Sequence, residues 1–508
     1  MSEYIISVDL GTTALKIALV DKDGKFLSVS NQEYELITPK SSYVEENPEV
    51  YWESFKKGLE KIKSNTQVDK KQIKAIGVSA QGETLLFLDK NGKVLRNAIV
   101  WLDNRAYKES EILREKFGDE NCYKITGQVS FNPCWPSAKI LWIRNNESEI
   151  FKKTDKFLLI EDYFIYRLTG EFVSEGSLLC STTYWNIRTK NWWQEMLDYL
   201  QIDQKKLPKI MESGEVVNNI LPEVAEELGI SKETIVCTGA LDQAAGAIGV
   251  GNISEGIFSE NTGAALAICA PVEKPVLDPG RNMPLHYFAI KDMYMIHSFT
   301  TGGMALRWFR DSFCQSESSI SSLIKDSSYN ILAKEAEHVP PGSEGLIMLP
   351  HLSGSMAPDV NPKAKGVFYG FTLKHRKPHF IRAIMESIGF IIKRNVDTLE
   401  RMGINVSEIR SLGGGSKSSL WNHIKADITG KLLITMENEE AACLGAAILA
   451  GKAIGMFKTI EDACKKMVKV KDEYKPNKKN YDIYLKAYQS YKKLFNDLSE
   501  LFELSPNQ

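Results

Sequence analysis

The chain has 508 residues, of which 43% are hydrophobic and 25% charged, a length at which one core has normally stopped growing and two or more domains are expected. Its 63 Lys+Arg against 65 Asp+Glu leave a formal net charge of -2, so no bulk field points to nucleic acid or an anionic membrane as partner. No apolar run approaches the ~20 residues that span a bilayer.

The opening MSEYIISVDLG lacks the basic and apolar regions of a signal peptide, and a cytoplasmic location is expected. The eight cysteines show no CxxC spacing, which leaves buried free thiols in a reducing cytosol as the expectation. Strands are predicted over 4–9 and 15–21, joined by the turn of VDLGTTALK (8–16). A third follows the DKDG turn over 25–32. Next, NPEVYWESFKKGLEKIKS places Trp52, Phe55, Leu59 and Ile62 at helical spacing behind an Asn47-Pro48 start. IKAIGVSA (73–80) is a short apolar strand, and 83–101 reads as further strands around an Asn-Gly turn.

The second half repeats this plan. FSENTGAALAICA (258–270) parallels SVDLGTTALKIAL (7–19), and VSEIRSLGGGS (406–416), after a long amphipathic helix over 379–403, parallels VDKKQIKAIGVSA (68–80). An internal duplication of a βββαβα unit accounts for both. The boundary is expected in the Gly- and Ala-rich stretch 238–256. A terminal helix over 480–502 carries the stripe Tyr484, Tyr488, Tyr491, Phe495, Leu498 and Phe502, read as a docking face.

Candidate chemistry lies in the turns. Consecutive backbone N–H groups in a tight turn form an anion site, and Thr12 and Thr13 add hydroxyl donors. Asp9 would repel a bare phosphate but suits a Mg²⁺ lying between carboxylate and phosphate; Lys16 is expected to point toward the same mouth. Thr262 and Gly263 form a matching turn, so that two hairpins would face each other across a cleft with phosphates between them. The three glycines of SLGGGSKSSLW (411–421), after a strand and leading into a helix, would let a flat adenine or ribose lie on the backbone. Asp242, in GALDQAAG, is a buried acid that needs a partner or a task, either helix cap or general base. Gln81, Glu83, Asp103 and Arg105, in SAQGE and WLDNR, suit directed hydrogen bonds to a polyhydroxy substrate, or are surface turn residues. No HExxH or related histidine spacing is present.

These residues resemble the FGGY carbohydrate kinases of the actin-like ATPase superfamily along essentially the whole chain. PSAKILWIRNN (136–146) is similar to the family's first signature, with Lys139, Trp142 and an Asn pair; Cys134 departs from it. GVFYGFTLKHRKPHFIRAIMES (366–387) is similar to the second in Gly366, Gly370, His379 and Glu386, with Phe371 where an aliphatic residue is usual.

The resemblance implies an α/β fold of two actin-like (ribonuclease H-like) domains with an interdomain cleft. Residues 1–248 would bind the sugar, 249–475 the ATP, and 476–508 pack back on the body. It implies ATP-dependent phosphorylation of a sugar hydroxyl, with a ketopentose such as xylulose preferred. Kinases for glycerol, a pentitol or gluconate are the alternatives, and a non-catalytic actin-like nucleotide-binding protein a remote one. Implied roles are Asp242 as base, Gln243 beside the substrate, Asp9 toward Mg²⁺, and Thr12, Thr13, Thr262, Gly263, Gly303, Gly414 and Ser418 around ATP. In the substrate segment Gly82 stands where glycerol kinases have Arg, Glu83 is retained from their pattern, and WLDNR follows the WxDxR form of the sugar kinases. The resemblance admits a homodimer and calls for neither nucleic acid nor membrane.

Overall fold

The structure, a computed structural model, describes residues 3–504. The chain divides into two units. Unit 1 contains residues up to Ile253, Val272–Met295 and Glu440–Lys469; unit 2 contains Ser254–Pro271, Ile296–Glu439 and the chain from Val470 on. The expected boundary at 248/249 lies beside the first switch at 253/254, while 272–295 and 440–469, inside the span expected for the ATP domain, pack in unit 1.

Unit 1 is built on β1 (Tyr4–Leu10), β2 (Ala14–Asp21), β3 (Phe26–Glu33), α1 (Pro48–Asn65), β4 (Ile73–Ala80), β5 (Val216–Asn219), β6 (Ile235–Cys237), β7 (Ala240–Leu241) and α2 (Asp242–Gly249). The sheet order is β5-β6-β4-β1-β2-β3, with β7 also paired to β4. The meander β1-β2-β3 is antiparallel, whereas β4 runs parallel to β1, and β6 and β7 parallel to β4.

Helix α1 forms where expected. The Asn47 side chain accepts from Glu49 N, Pro48 opens the first turn, and Tyr51, Trp52, Phe55, Leu59 and Ile62 are buried. They pack with Ile6, Val8 and Leu10 on one face of β1. The alternate residues of β1 meet a helix from far down the chain, Ala441–Ala453: Ser7 Oγ donates to Cys443 O at 2.5 Å. The face of β1 that carries Ile6, Val8 and Leu10 is apolar, whereas the other carries Ile5, Ser7 and Asp9, whose two polar side chains are hydrogen-bonded. The approach is backbone-close, since a Cβ on Gly77 would lie 2.3 Å from Ala446 O and one on Gly249 1.9 Å from Ala441 O. The Gly/Ala-rich stretch 238–256 thus serves close helix packing.

Unit 2 repeats the order with β8 (Ile257–Thr262), β9 (Ala265–Val272), β10 (Tyr294–Thr301), α3 (Lys377–Arg401), β11 (Glu408–Leu412), α4 (Ser419–Thr429), β12 (Leu432–Met436), β13 (Val470–Tyr474) and α5 (Lys478–Asp497). Its strands run β10-β9-β8-β11-β12-β13, with β11 parallel to β8 and β12 parallel to β11. Two copies of a three-stranded meander, helix and parallel strand are therefore present. The terminal stripe docks as expected: Tyr484, Tyr488 and Tyr491 are buried, and Tyr484 Oη donates to Glu386 Oε1 at 3.0 Å while accepting from Arg382 Nη2 at 2.9 Å. Phe502 is buried on a separate short helix, Ser499–Leu504.

Candidate active site

In unit 1 three parallel strands end level. Asp9 of β1 and Ala240 of β7 both sit opposite Ser79 of β4, and Leu10 and Leu241 both sit opposite Ala80. The register brings Asp9, the segment Gln81–Glu83 and Asp242 to one edge at the carboxyl ends of the strands, where α/β sheets bind ligands. Their charges interact. The Asp242 carboxyl is pushed up to about 7, first by burial and then by the negative charges of Asp9 and Glu83. Asp9 is pushed up to about 6 by burial, against the opposing pull of the Ser79 hydroxyl, which donates to Asp9 Oδ1 at 3.1 Å, and of Lys16. Burial also raises Glu83, whose backbone is left-handed at φ 57°. Asp242 is the first residue of α2; its Oδ1 accepts from the next amide, Gln243 N, at 2.7 Å, and the Gln243 side chain also hydrogen-bonds the carboxyl.

The turn between β1 and β2 is tightly braced. Gly11 N donates to Ala14 O at 3.1 Å, and Tyr34 Oη donates to Gly11 O at 2.5 Å. The Thr12 hydroxyl accepts from Trp101 Nε1 at 2.8 Å, while Thr13 is exposed. Lys16 is opposite Asp9 across the hairpin, but its ammonium is engaged by Glu440 Oε2 at 2.5 Å. Glu440 stands at the start of the returning helix, so Lys16 lies between this carboxylate and Asp9.

The remaining expected substrate residues behave differently from one another. Gln81 is buried and donates from Nε2 to Tyr51 Oη at 3.1 Å, which leaves its Oε1 without a partner. Asp103 and Arg105 are spent on each other: Arg105 Nη2 lies 2.8 Å from Asp103 Oδ2 and 2.7 Å from Glu45 Oε1, with the two side chains 1% and 0% exposed. They stack under Tyr43, with the guanidinium 4.0 Å from its ring centre, and brace the segment that carries Trp101. Sequence reasoning missed the parts played by Ser79, Tyr34, Glu45 and Trp101, which act through neighbours brought close by the fold. Ser79 and Trp101 open the SAQGE and WLDNR segments and so had a local signal; Tyr34 and Glu45 had none.

In unit 2 the three glycine-bearing turns converge. Gly303 N donates to Gly263 O at 2.8 Å, and Met304 N to Ala264 O at 2.9 Å. Gly413, at φ 73°, has no room for a side chain, since a Cβ would fall 2.3 Å from Asn261 Oδ1; one on Gly415 would meet Thr262 at 2.7 Å. Gly414 lies between them, on the short turn Gly414–Lys417. The Thr262 hydroxyl donates to Glu260 Oε2 at 2.5 Å. Ser418 caps α4, accepting from Trp421 N at 3.3 Å. Glu260 repeats the place of Asp9: it sits opposite Ser411 on the parallel neighbour and accepts from that serine. Unlike Asp9, it is cancelled by a fully buried lysine, Lys425, at 2.6 Å.

The residues present fit a divalent cation at Asp9. This carboxylate, unlike Glu260, lacks a buried cation of its own. Among the described residues no three His, Cys, Asp or Glu side chains form a metal cage.

Two family profiles match the chain. The profile "FGGY family of carbohydrate kinases, N-terminal domain" covers residues 4–249, and its C-terminal counterpart covers 269–454. The chain belongs to the FGGY family of carbohydrate kinases. It is 32% identical over 500 residues to the xylulose kinase of Bacillus subtilis, covering 98% of both chains, and 31% identical over 507 residues to a gluconokinase of the same organism, covering 99% of this chain and 97% of that one. The solved structure of ligand-bound xylulose kinase from Lactobacillus acidophilus superposes with a TM-score of 0.90 at 29% identity, over 99% of this chain and 100% of that one. The two sheet-and-helix units thus have the actin-like ATPase fold expected from the sequence.

The FGGY signatures take physical roles here. Lys139 is fully buried and donates to Glu83 O and Val100 O, both at 3.0 Å, so it ties the Glu83 loop to the WLDNR segment; burial lowers it to about 8. Glu386 of the second signature accepts from Gly342 N, Ser343 Oγ and Arg382 Nε and so anchors the terminal helix.

Proposed function

We propose that this FGGY kinase transfers the γ-phosphoryl group of ATP to a hydroxyl of a small neutral sugar or polyol, with a ketopentose such as xylulose as first choice. The observation that carries the reading is Asp242: a carboxyl at the edge of the sheet, poised to ionise near neutral pH by burial and by two neighbouring acids. A general base works best with a pKa near the working pH. Asp242 takes the proton of the attacking hydroxyl as the new O–P bond forms and the bond to ADP breaks. Gln81, Glu83 and Gln243 orient the acceptor. For the nucleotide, unit 1 offers amide and hydroxyl donors at Thr12 and Thr13, and unit 2 offers Gly263, Gly303, Gly414 and Ser418, with Thr262, whose hydroxyl is given to Glu260, shaping that turn. Asp9 would hold Mg²⁺, which supplies charge neutralisation on the phosphates when bound.

A gluconate acceptor is the second reading, favoured by the gluconokinase relative. Its carboxylate would need a cation, and those of unit 1 near Asp242 are committed: Lys16 to Glu440, Arg105 to Asp103 and Glu45, Lys139 to two carbonyls. Three acids in one group repel an anion besides. ADP formation measured with xylulose, ribulose, glycerol, xylitol and gluconate tests the choice. Turnover is expected with a ketopentose; gluconate as the best acceptor would overturn it.

A further inference from the structure

Behind Asp242 lies a set of buried acids that the phosphoryl-transfer chemistry does not use. Glu161, Asp162 and Glu175 are 0%, 1% and 0% exposed. Glu175 is richly solvated by the protein: Ser177 N and Leu178 N donate to it at 2.7 Å each, Ser177 Oγ at 2.8 Å and Ser213 Oγ at 2.5 Å. Ser177 Oγ in turn accepts from Leu241 N at 3.0 Å, and Glu161 Oε1 accepts from Gly239 N at 2.9 Å. The two contacts grip alternate amides of the three residues immediately before Asp242.

We infer that Glu175, acting through Ser177, and Glu161, acting through Gly239, are positioning residues that set where Asp242 stands. The strand they hold, Ala240–Leu241, is only two residues long, too short to fix its own end by ladder bonds. Beyond it the chain turns straight into α2. A serine hydroxyl must give its proton to one group while accepting from another. Glu175 takes that proton, which leaves the Ser177 oxygen aimed at Leu241 N. Glu161 differs from Glu175 in having a single donor, Gly239 N, and an Oε2 that is buried without a partner. Burial and the charges of Glu175 and Asp162 raise it well above the usual carboxylate range, so it acts as a neutral acceptor and an amide can replace it.

This inference rests on Asp242 being the base, and the experiment separates the two. Steady-state kinetics of the full chain with ATP and its best acceptor are compared for D242N, S177A, E161A and E161Q. Displacement of a reacting group by about an ångström costs on the order of 10- to 100-fold. S177A and E161A are therefore expected to lose that much kcat with the KM for ATP unchanged, and E161Q to restore wild-type kcat. Hydrogen exchange at the Leu241 amide should accelerate in S177A, which reports on the grip even where a variant is poorly active. Full turnover in D242N would defeat the base reading. An inactive D242N beside S177A and E161A with wild-type kcat, or an E161Q as impaired as E161A, would defeat the positioning inference alone.

Discussion

Asp242 carries opposite demands of stability and chemistry. Its carboxyl titrates near 7 in the folded chain instead of at the ordinary 3.8. The folded state therefore favours the protonated form: the stabilising contribution is complete below the ordinary value and is lost as pH rises through about 7. Replacing Asp242 by Asn should cut kcat on the order of 10²- to 10⁴-fold with little change in the KM for ATP. The same variant should be more stable than the parent at pH 8 by roughly 1–3 kcal/mol in urea unfolding, an advantage that shrinks as the pH is lowered toward 5. The parent's kcat should fall on the acid side of about pH 7. An acid limb below pH 5 would mean that burial and the neighbouring charges do not raise Asp242 in the working enzyme. The burial of this acid was legible in GALDQAAG, because an acid amid small apolar residues is rare enough to need a reason. The fate of Lys16 and Arg105 was not. The partner of Lys16, Glu440, lies 424 residues away; Arg105 has one partner beside it in WLDNR, Asp103, and a second, Glu45, 60 residues away.

Elements built of small residues do the closest packing. A Cβ on Gly445 would lie 1.8 Å from Ala245 O, and one on Gly249 1.9 Å from Ala441 O, so the helix Ala441–Ala453 and α2 touch through their backbones. Gly445→Val should destabilise unit 1 by about 1–3 kcal/mol, the usual cost of overpacking, and displace the helix that bears Asp242 at its first residue. Thermal unfolding measures the first effect and kcat the second; a variant with parental values of both would show that the contact tolerates separation. Helix α1 was readable from its buried stripe, and the long helix was placed within two residues of its ends because polar residues punctuate its apolar ones, although every residue from Ile381 to Lys393 is buried. The helix Ala441–Ala453 is buried all round and has no such face to read, and its place against β1 and β4 could not be inferred locally.

Across the whole molecule the duplicated halves differ in one charge. Each places an acid opposite a serine on the parallel neighbour, Asp9 with Ser79 and Glu260 with Ser411. Only the second copy buries a lysine against the acid. Lys425→Met should cost about 3–5 kcal/mol by stranding Glu260, whereas the double variant E260Q/K425M should be close to neutral, as paired removal of a buried ion pair commonly is. Chemical denaturation of the three proteins decides this, and equal losses in the single and double variants would show that the pair does not act as a unit. The repeat itself was visible in the matched turns, since SVDLGTTALKIAL and FSENTGAALAICA align Asp9 with Glu260; the lysine that separates their uses sits in a helix outside both stretches.

The helix that closes one face of the first sheet comes from residues 441–453, after nearly all of unit 2 has been made. During synthesis, at about 5–20 residues per second, the strands of residues 4–80 must wait on the order of twenty seconds or more with Ile5 and Gly77 uncovered. A nascent chain of this design offers an apolar surface for chaperones to hold, and one released before residue 440 should aggregate instead of yielding a working half. The carboxylates at the sheet edge are all made by residue 242, but the surface that covers their sheet is supplied near the end of the chain.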